Sequence, residues 1–353
     1  MRTKIPVTGE LGPYRIQSTV DSKYAQYYLE AYLADKRTTP SLDKKIDSLY
    51  IEFADRLPER NDLERISNDF STDFAALFWG SKLLSIPHNQ EVQKKFVKNF
   101  ELIKRGSREI ASNKYVILLV PGLDYKENGP VTGADLKTQV DIFRAYGLTV
   151  VFVEIPPLGT VEENAAVIAE NIKKNSNQSI LIAGASSAGP AIHLALSKSL
   201  TIDETRSVKA WLNLGGVING SPVIDWIDSG LTYPLWRILI WSKGWKPETF
   251  TSLRADVSRE RAALLTLPAH IKAINYVGLS LSGNISRFAQ DKYWIMSSQG
   301  PNDGLALLPD MVLPNSVTII APESDHFFAE DPMIKDKSVA LLNTVVELVE
   351  KKK

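Results

Sequence analysis

One serine stretch, one aspartate and one histidine in this chain are of the types and in the order that could drive a hydroxyl onto an acyl carbon. The serines lie in residues 179–196, Ser-Ile-Leu-Ile-Ala-Gly-Ala-Ser-Ser-Ala-Gly-Pro-Ala-Ile-His-Leu-Ala-Leu. Ile180 to Ala183 is an apolar run suited to a buried strand, and Ala191, Ile192, Leu194, Ala195 and Leu196 suit a helix. Only small residues, Gly184 to Gly189, lie between them. A strand that turns sharply into a helix with serine at its apex is a nucleophile elbow. Strained backbone projects the Oγ, and neighbours without bulk let strand and helix pass closely. With Ser186 at the apex the pattern is Gly184-x-Ser186-x-Ala188; with Ser187 it is Ala185-x-Ser187-x-Gly189. Ser186 is preferred, because the other register puts Pro190 three residues on, where the turn should be tightest. The plainer reading, a Gly-rich turn cradling phosphate, lacks a Lys after Gly189 and follows the third strand of its unit, not the first.

Serine attack needs a base for the Oγ proton and a carboxylate to orient that base and stabilise its cation. Four histidines are available. His88 lies in a helical region beside Pro87, His193 is on the helix after the elbow facing away, and His270 falls near the end of an insertion. Only His326 follows a late strand, in Pro322-Glu-Ser-Asp-His-Phe-Phe328. The carboxylate should follow the preceding strand, and Asp303 in Gln299-Gly-Pro-Asn-Asp-Gly304 stands 23 residues before His326. Asp303 could instead be a turn former. Asp310 and Asp291 are reserves. Asp325 adjoins His326, and neighbouring loop residues seldom face each other.

These groups need a scaffold. From Lys114 on, apolar runs alternate with amphipathic segments: Tyr115 to Val120, then Leu136 to Tyr146, Leu148 to Ile155, Val161 to Lys174, the Ile180 strand with its helix, and Val208 to Leu214. Ile274 to Leu281, Tyr293 to Ser297 and Ser316 to Ala321 are later strand candidates, and Lys335 to Val349 is a closing helix. Strands alternating with helices predict an α/β fold, a mostly parallel sheet covered on both faces with functional residues at the strands' carboxyl ends. Residues 1–112 read as a helical region: Ser22 to Ala34, Leu42 to Leu57, Asp73 to Leu84 and Val92 to Ile110 carry apolar stripes, and Arg56 to Asp69 reads as a solvated, salt-bridged face. Residues 217–272 interrupt the rhythm with four of the seven tryptophans, Trp226, Trp236, Trp241 and Trp245. This insertion reads as a cap over the site, with Trp236 and Trp241 as substrate contacts, or as packing of an extra helix pair; a membrane-surface role is a weaker option.

The order Ser186, Asp303, His326 resembles that of the α/β-hydrolase superfamily. The resemblance spans residues 113–353. Val120-Pro121-Gly122-Leu123 is similar to the loop after the third strand of that family, Gly-Pro-Asn-Asp303-Gly304-Leu305 resembles the acid loop of bacterial lipases, and Asp325-His326-Phe327 their histidine loop. Ala188 stands where the usual elbow carries glycine. The resemblance implies an oxyanion hole from the backbone N–H groups of Leu123 and Ser187, and no metal or organic cofactor.

The expected activity is hydrolysis of carboxylic esters, esterase- or lipase-like, on a small apolar acyl substrate. A thioesterase or acyltransferase would use the same triad, and a silent hydrolase-shaped binding or scaffold protein is a reading of another class. The chain of 353 residues carries no net charge, which disfavours nucleic acid as a partner. Apolar residues make up 44% and charged residues 23%, as in soluble globular proteins, and no run suggests a spanning helix. The N-terminus lacks the apolar core of a secretion signal. The absence of cysteine removes disulfides and thiolate chemistry. A cytoplasmic location is the simpler expectation; secretion with a trimmed signal is the other. Oligomeric state is left open.

Overall fold

The computed structural model describes residues 4–110, 112–229 and 233–350. The first two residues of the aromatic stretch, Leu231 and Thr232, and the closing lysines lie outside them. Six of the strands form one sheet: β3 (Tyr115–Val120), β4 (Thr149–Phe152), β5 (Ser179–Ala185), β6 (Val208–Leu214), β7 (Lys272–Leu279) and β8 (Val317–Pro322), ordered β4-β3-β5-β6-β7-β8. Every registered pair from β4 to β7 is parallel. All six residues of β3 are buried, which is why it reads as an unbroken apolar run. Burying one such Leu or Ile is worth about 2–3 kcal/mol, so β3 anchors the sheet. The chain adds β4 on one side of β3 and β5 on the other. That reversal falls between β3 and β5, and in an open α/β sheet the carboxyl ends of the strands at such a point are the usual place for a ligand.

The chain divides into two compact units. The larger holds residues 95–277, 310–319 and 327–353. Its helix Val161–Lys174 starts where the sequence predicts, fixed by a capping box in which Thr160 and Glu163 satisfy each other's backbone N–H. That helix packs on the helix Ala188–Leu194, and Ile334–Glu350 packs on Lys137–Ala145, where Gln139 Nε2 donates to Ser338 Oγ at 3.1 Å. The expected insertion contains the helices Pro222–Ile227, Tyr233–Lys243, Pro247–Thr251 and Ala255–Ala263.

The smaller unit holds residues 1–94, 278–309 and 320–326. Here the structure corrects the reading of residues 1–112 as helical throughout. A hairpin comes first, β1 (Ile5–Leu11) and β2 (Tyr14–Val20), paired from Ile5↔Val20 to Leu11↔Tyr14. Val7, Leu11, Ile16 and Val20 are buried, with more exposed residues between them, a period near two. Gly12 takes φ +58° and Pro13 has its φ fixed by its ring, the order a two-residue hairpin loop with glycine first requires. Helices follow at Lys23–Tyr27, continuing through a widened turn Tyr28–Tyr32, and at Pro40–Glu52, Arg60–Asp69 and Thr72–Ser85; Pro87–Lys104 begins in this unit and its residues from 95 on belong to the larger one. Tyr28, Phe74 and Phe78 pack ring on ring, and Tyr28 Oη hydrogen-bonds Tyr50 Oη at 2.7 Å. The solvated face is as expected, with Arg56 on Asp62 and Arg65 on Glu52.

A second correction concerns Tyr293 to Ser297, which forms no strand: Tyr293 to Met296 lie in the helix Gln290–Met296, and Ser297 opens the tight turn Ser297–Gln299. Its aromatic and branched residues favour strands, yet the fully buried pair is Tyr293 and Met296, three apart, and helical packing decides.

Candidate active site

Ser186 follows β5 with φ +53°, left-handed backbone that a residue with a Cβ adopts only under constraint. The constraint is visible. Ser186 N donates to Leu214 O at 3.0 Å, Gly189 N donates to Ser186 O at 3.0 Å, and Val217 N donates to the same oxygen at 3.2 Å. Ser187 has φ −63° and begins the following helix; its side chain is buried, and its Oγ has no hydrogen-bond partner among the described residues. The strain therefore sits at the first serine of the pair. Space for a Cβ is short around it at two positions, most strictly at Gly189, where backbone stands in the way. A Cβ on Gly184 would come within 2.3 Å of Ile192 Cδ1, and one on Gly189 within 2.8 Å of Asn213 Oδ1 and of Gly216 Cα. Ala188 is fully buried, so the position where the usual pattern has glycine accommodates a methyl group.

The loop after β3 comes up beside this turn. Gly122 N donates to Ala134 O at 2.8 Å, and a Cβ on Gly122 would lie 3.4 Å from Ser186 Cβ. Leu123 is the next residue, half-buried, and Asp124 after it is held at φ +53° with its N–H on Pro157 O.

In the smaller unit, Asp303 and His326 meet. His326 Nδ1 is 2.7 Å from Asp303 Oδ2, and His326 N donates to Asp303 O at 2.8 Å. A carboxylate can only accept, so Nδ1 carries a proton, and in the neutral ring Nε2 keeps its lone pair. The other oxygen, Oδ1, accepts from Leu305 N at 2.9 Å and Ala306 N at 2.8 Å. Asp303 thus builds its turn with one oxygen and holds the imidazole with the other. Both side chains are buried. Burial alone would push the imidazole down, but the adjoining Asp303 carboxylate outweighs it, and the His326 pKa lies above its ordinary value.

The other candidates lie elsewhere. His193 is buried against Trp211, and desolvation lowers its pKa to about 4. His270 Nε2 is 3.0 Å from Thr205 O, and His88 is exposed. Asp325 Oδ2 accepts from Ser286 N at 2.7 Å, Asp291 is exposed, and Asp310 is buried with its carbonyl accepting from Asn219 N. Trp236 packs edge-on against Phe250 at 4.8 Å and against Trp245, whereas Trp241 stands out from its helix. A cluster that the sequence reading did not single out is Asp73 with Asp21, Ser282 and Tyr293. Its trace in the sequence is only an acid two residues after the helix-capping Ser71.

No family model and no curated protein matches the chain. Solved structures do. A metagenomic carboxyl esterase superposes with TM-score 0.56 at 19% identity, over 69% of this chain and 77% of that one. The mature form of a Bacillus licheniformis lipase superposes with TM-score 0.51 at 19% identity, over 63% and 89%. The propeptide form of the same lipase gives 0.53 at 18%, over 70% of this chain and 52% of that one. With the parallel sheet and its flanking helices, these likenesses establish an α/β-hydrolase fold. No helix among the described residues is long and apolar enough to cross a membrane.

Proposed function

We propose that the protein is a serine hydrolase of carboxylic esters, with Ser186 as nucleophile, His326 as general base and Asp303 as the acid that orients it. The observation that carries this reading is the buried His326–Asp303 pair, an imidazole held in one tautomer by a carboxylate. The strained backbone of Ser186 supports it from the other side, because nothing in packing a turn of small residues calls for that φ at a serine. The neighbours of the same fold, an esterase and a lipase by name, agree with this chemistry.

In the proposed cycle Ser186 Oγ attacks the ester carbon as its proton passes to His326 Nε2. The negative oxygen of the tetrahedral intermediate takes hydrogen bonds from the N–H groups of Leu123 and Ser187, each worth roughly 3 kcal/mol in the transition state. Collapse expels the alcohol, which takes the proton back from His326. Water, deprotonated by the same imidazole, then attacks the acyl-enzyme and releases the acid and the free serine. The buried imidazolium that forms twice per cycle is stabilised by Asp303.

A fluorophosphonate probe tests the nucleophile. Labelling of the wild type that vanishes in Ser186→Ala and persists in Ser187→Ala is the expected result. Folded protein that does not label, or that loses label only in Ser187→Ala, overturns the assignment. p-Nitrophenyl esters from acetate to palmitate, beside matched thioesters, then report the acyl preference and the favoured leaving group.

A further inference from the structure

The helix Tyr233–Lys243 is apolar on two opposite sides, and folding explains only one of them. Inward, Ile240 is buried and Trp236, four residues before it, packs against Trp245 and Phe250. Outward, Leu235 is 72% exposed, Ile238 63% and Trp241 83%, with Leu239 beside them. Spacings of three and four residues place Leu235, Ile238 and Leu239 in one stripe. Exposed apolar residues scattered singly need no explanation, but a contiguous stripe of this kind marks a surface that meets something.

Charge identifies the occupant. The chain as a whole has no net charge, yet from Ser229 to Pro247 it contains Arg237, Lys243 and Lys246 and no acid. Lys246 is paired with Glu163 at 2.9 Å. Arg237 and Lys243 remain as the charges of the helix, their head groups lying over the rings of Tyr233 and Trp245. Of the nearby acids, Asp225 and Asp228 are turned to Ala255 N and Arg254, Asp124 feels Lys243 but accepts from Asn128 Nδ2, and Glu248 acts on Lys246, which leaves Arg237 as the cation with no acid facing it among the described residues. A second copy docking face to face on a two-fold axis would bring like charges together. An anionic lipid surface would not: it takes Leu and Ile into its acyl boundary, Tyr and Trp at headgroup level, and Lys and Arg against phosphate.

We propose that the outer face of the helix Tyr233–Lys243 docks the protein onto anionic lipid surfaces. This goes beyond the proposed reaction and does not depend on it. The test uses the intact protein and vesicles of diether phosphatidylcholine, with and without diether phosphatidylglycerol, so that no ester is present to be cleaved. Wild type floats with the anionic vesicles, and its tryptophan emission shifts to the blue, a shift lost in Trp241→Phe. The double variant Ile238→Ser/Trp241→Ser partitions about a hundredfold less. Arg237→Gln/Lys243→Gln loses about thirtyfold on anionic vesicles and little on neutral ones. These residues are exposed, so the variants fold. Wild type that does not float, flotation that the serine variant leaves unchanged, or a concentration-dependent dimer that the serines abolish would each overturn the proposal.

Discussion

Two aspartates in the smaller unit, Asp303 and Asp73, are equally inaccessible to water, and their surroundings give them opposite characters. Asp303 faces an imidazole at 2.7 Å and two backbone N–H groups. Asp73 faces another acid. Its Oδ2 accepts from Asp21 N at 2.7 Å and Ser282 Oγ at 2.6 Å, and its Oδ1 from Ser282 N at 2.8 Å and Tyr293 Oη at 3.0 Å, while the Asp21 carboxylate adds like charge. Burial, and then the field of Asp21, raise the Asp73 pKa to about 7 despite those donors. Asp73 thereby ties the end of the hairpin, the start of Thr72–Ser85, the loop after β7 and the helix Gln290–Met296 into one cluster. Burial by itself does not make a functional acid; the partner decides whether the charge is used or suppressed.

The largest expected effect separates the two by activity. Asp303→Asn keeps the shape but no longer supports the imidazolium, and ester turnover falls roughly ten-thousandfold. Asp73→Asn leaves turnover within about twofold, because the hydrogen bonds of Asp73 go to Asp21, Ser282 and Tyr293 and not to the proposed catalytic side chains. A matching loss in Asp73→Asn would erase the distinction. Next is stability. Asp73→Ala strands the Ser282 and Tyr293 donors and costs about 2–3 kcal/mol in urea unfolding; a cost within error would make the cluster ornamental.

The pH responses should also run in opposite senses. His326 must be neutral to act as base, and its pKa is raised, so kcat/KM climbs with pH through a midpoint above about 6.5. In Asp303→Asn that midpoint moves down. Asp73 has a folded-state pKa of about 7 against roughly 4 unfolded, so its contribution to stability is full below pH 4 and is lost as pH rises to about 7. Wild type therefore loses stability over that interval relative to Asp73→Asn. The smallest effect is that of Asp21→Asn, which removes one of the two causes of the shift and flattens the same slope only in part. An unchanged slope would leave burial as the sole cause.

Much of the larger unit could be read from the chain. Tyr115–Val120 and Val208–Leu214 are apolar runs whose limits the structure reproduces, and Thr160 with Glu163 marks a helix start by local chemistry alone. The hairpin Ile5–Leu11 and Tyr14–Val20 was less legible, because its alternation is diluted by Pro6, Gly9 and the half-buried Ser18. The strand expected from Tyr293 to Ser297 is helical instead, because strand propensity and helical packing use the same aromatic residues. Trp241, expected against substrate or in a core, is neither in a core nor covered by its own helix.

Residue types and their order were enough to nominate Ser186, Asp303 and His326 and to expect a parallel sheet, since apolar periodicity and capping act within a few residues. They could not say which of Ser186 and Ser187 carries the strain, that Asp303 divides its two oxygens between a turn and an imidazole, or that Asp73 lies beside Asp21. Those outcomes depend on hydrogen bonds and desolvation between segments far apart in the chain, and only the folded backbone brings such groups within reach of one another.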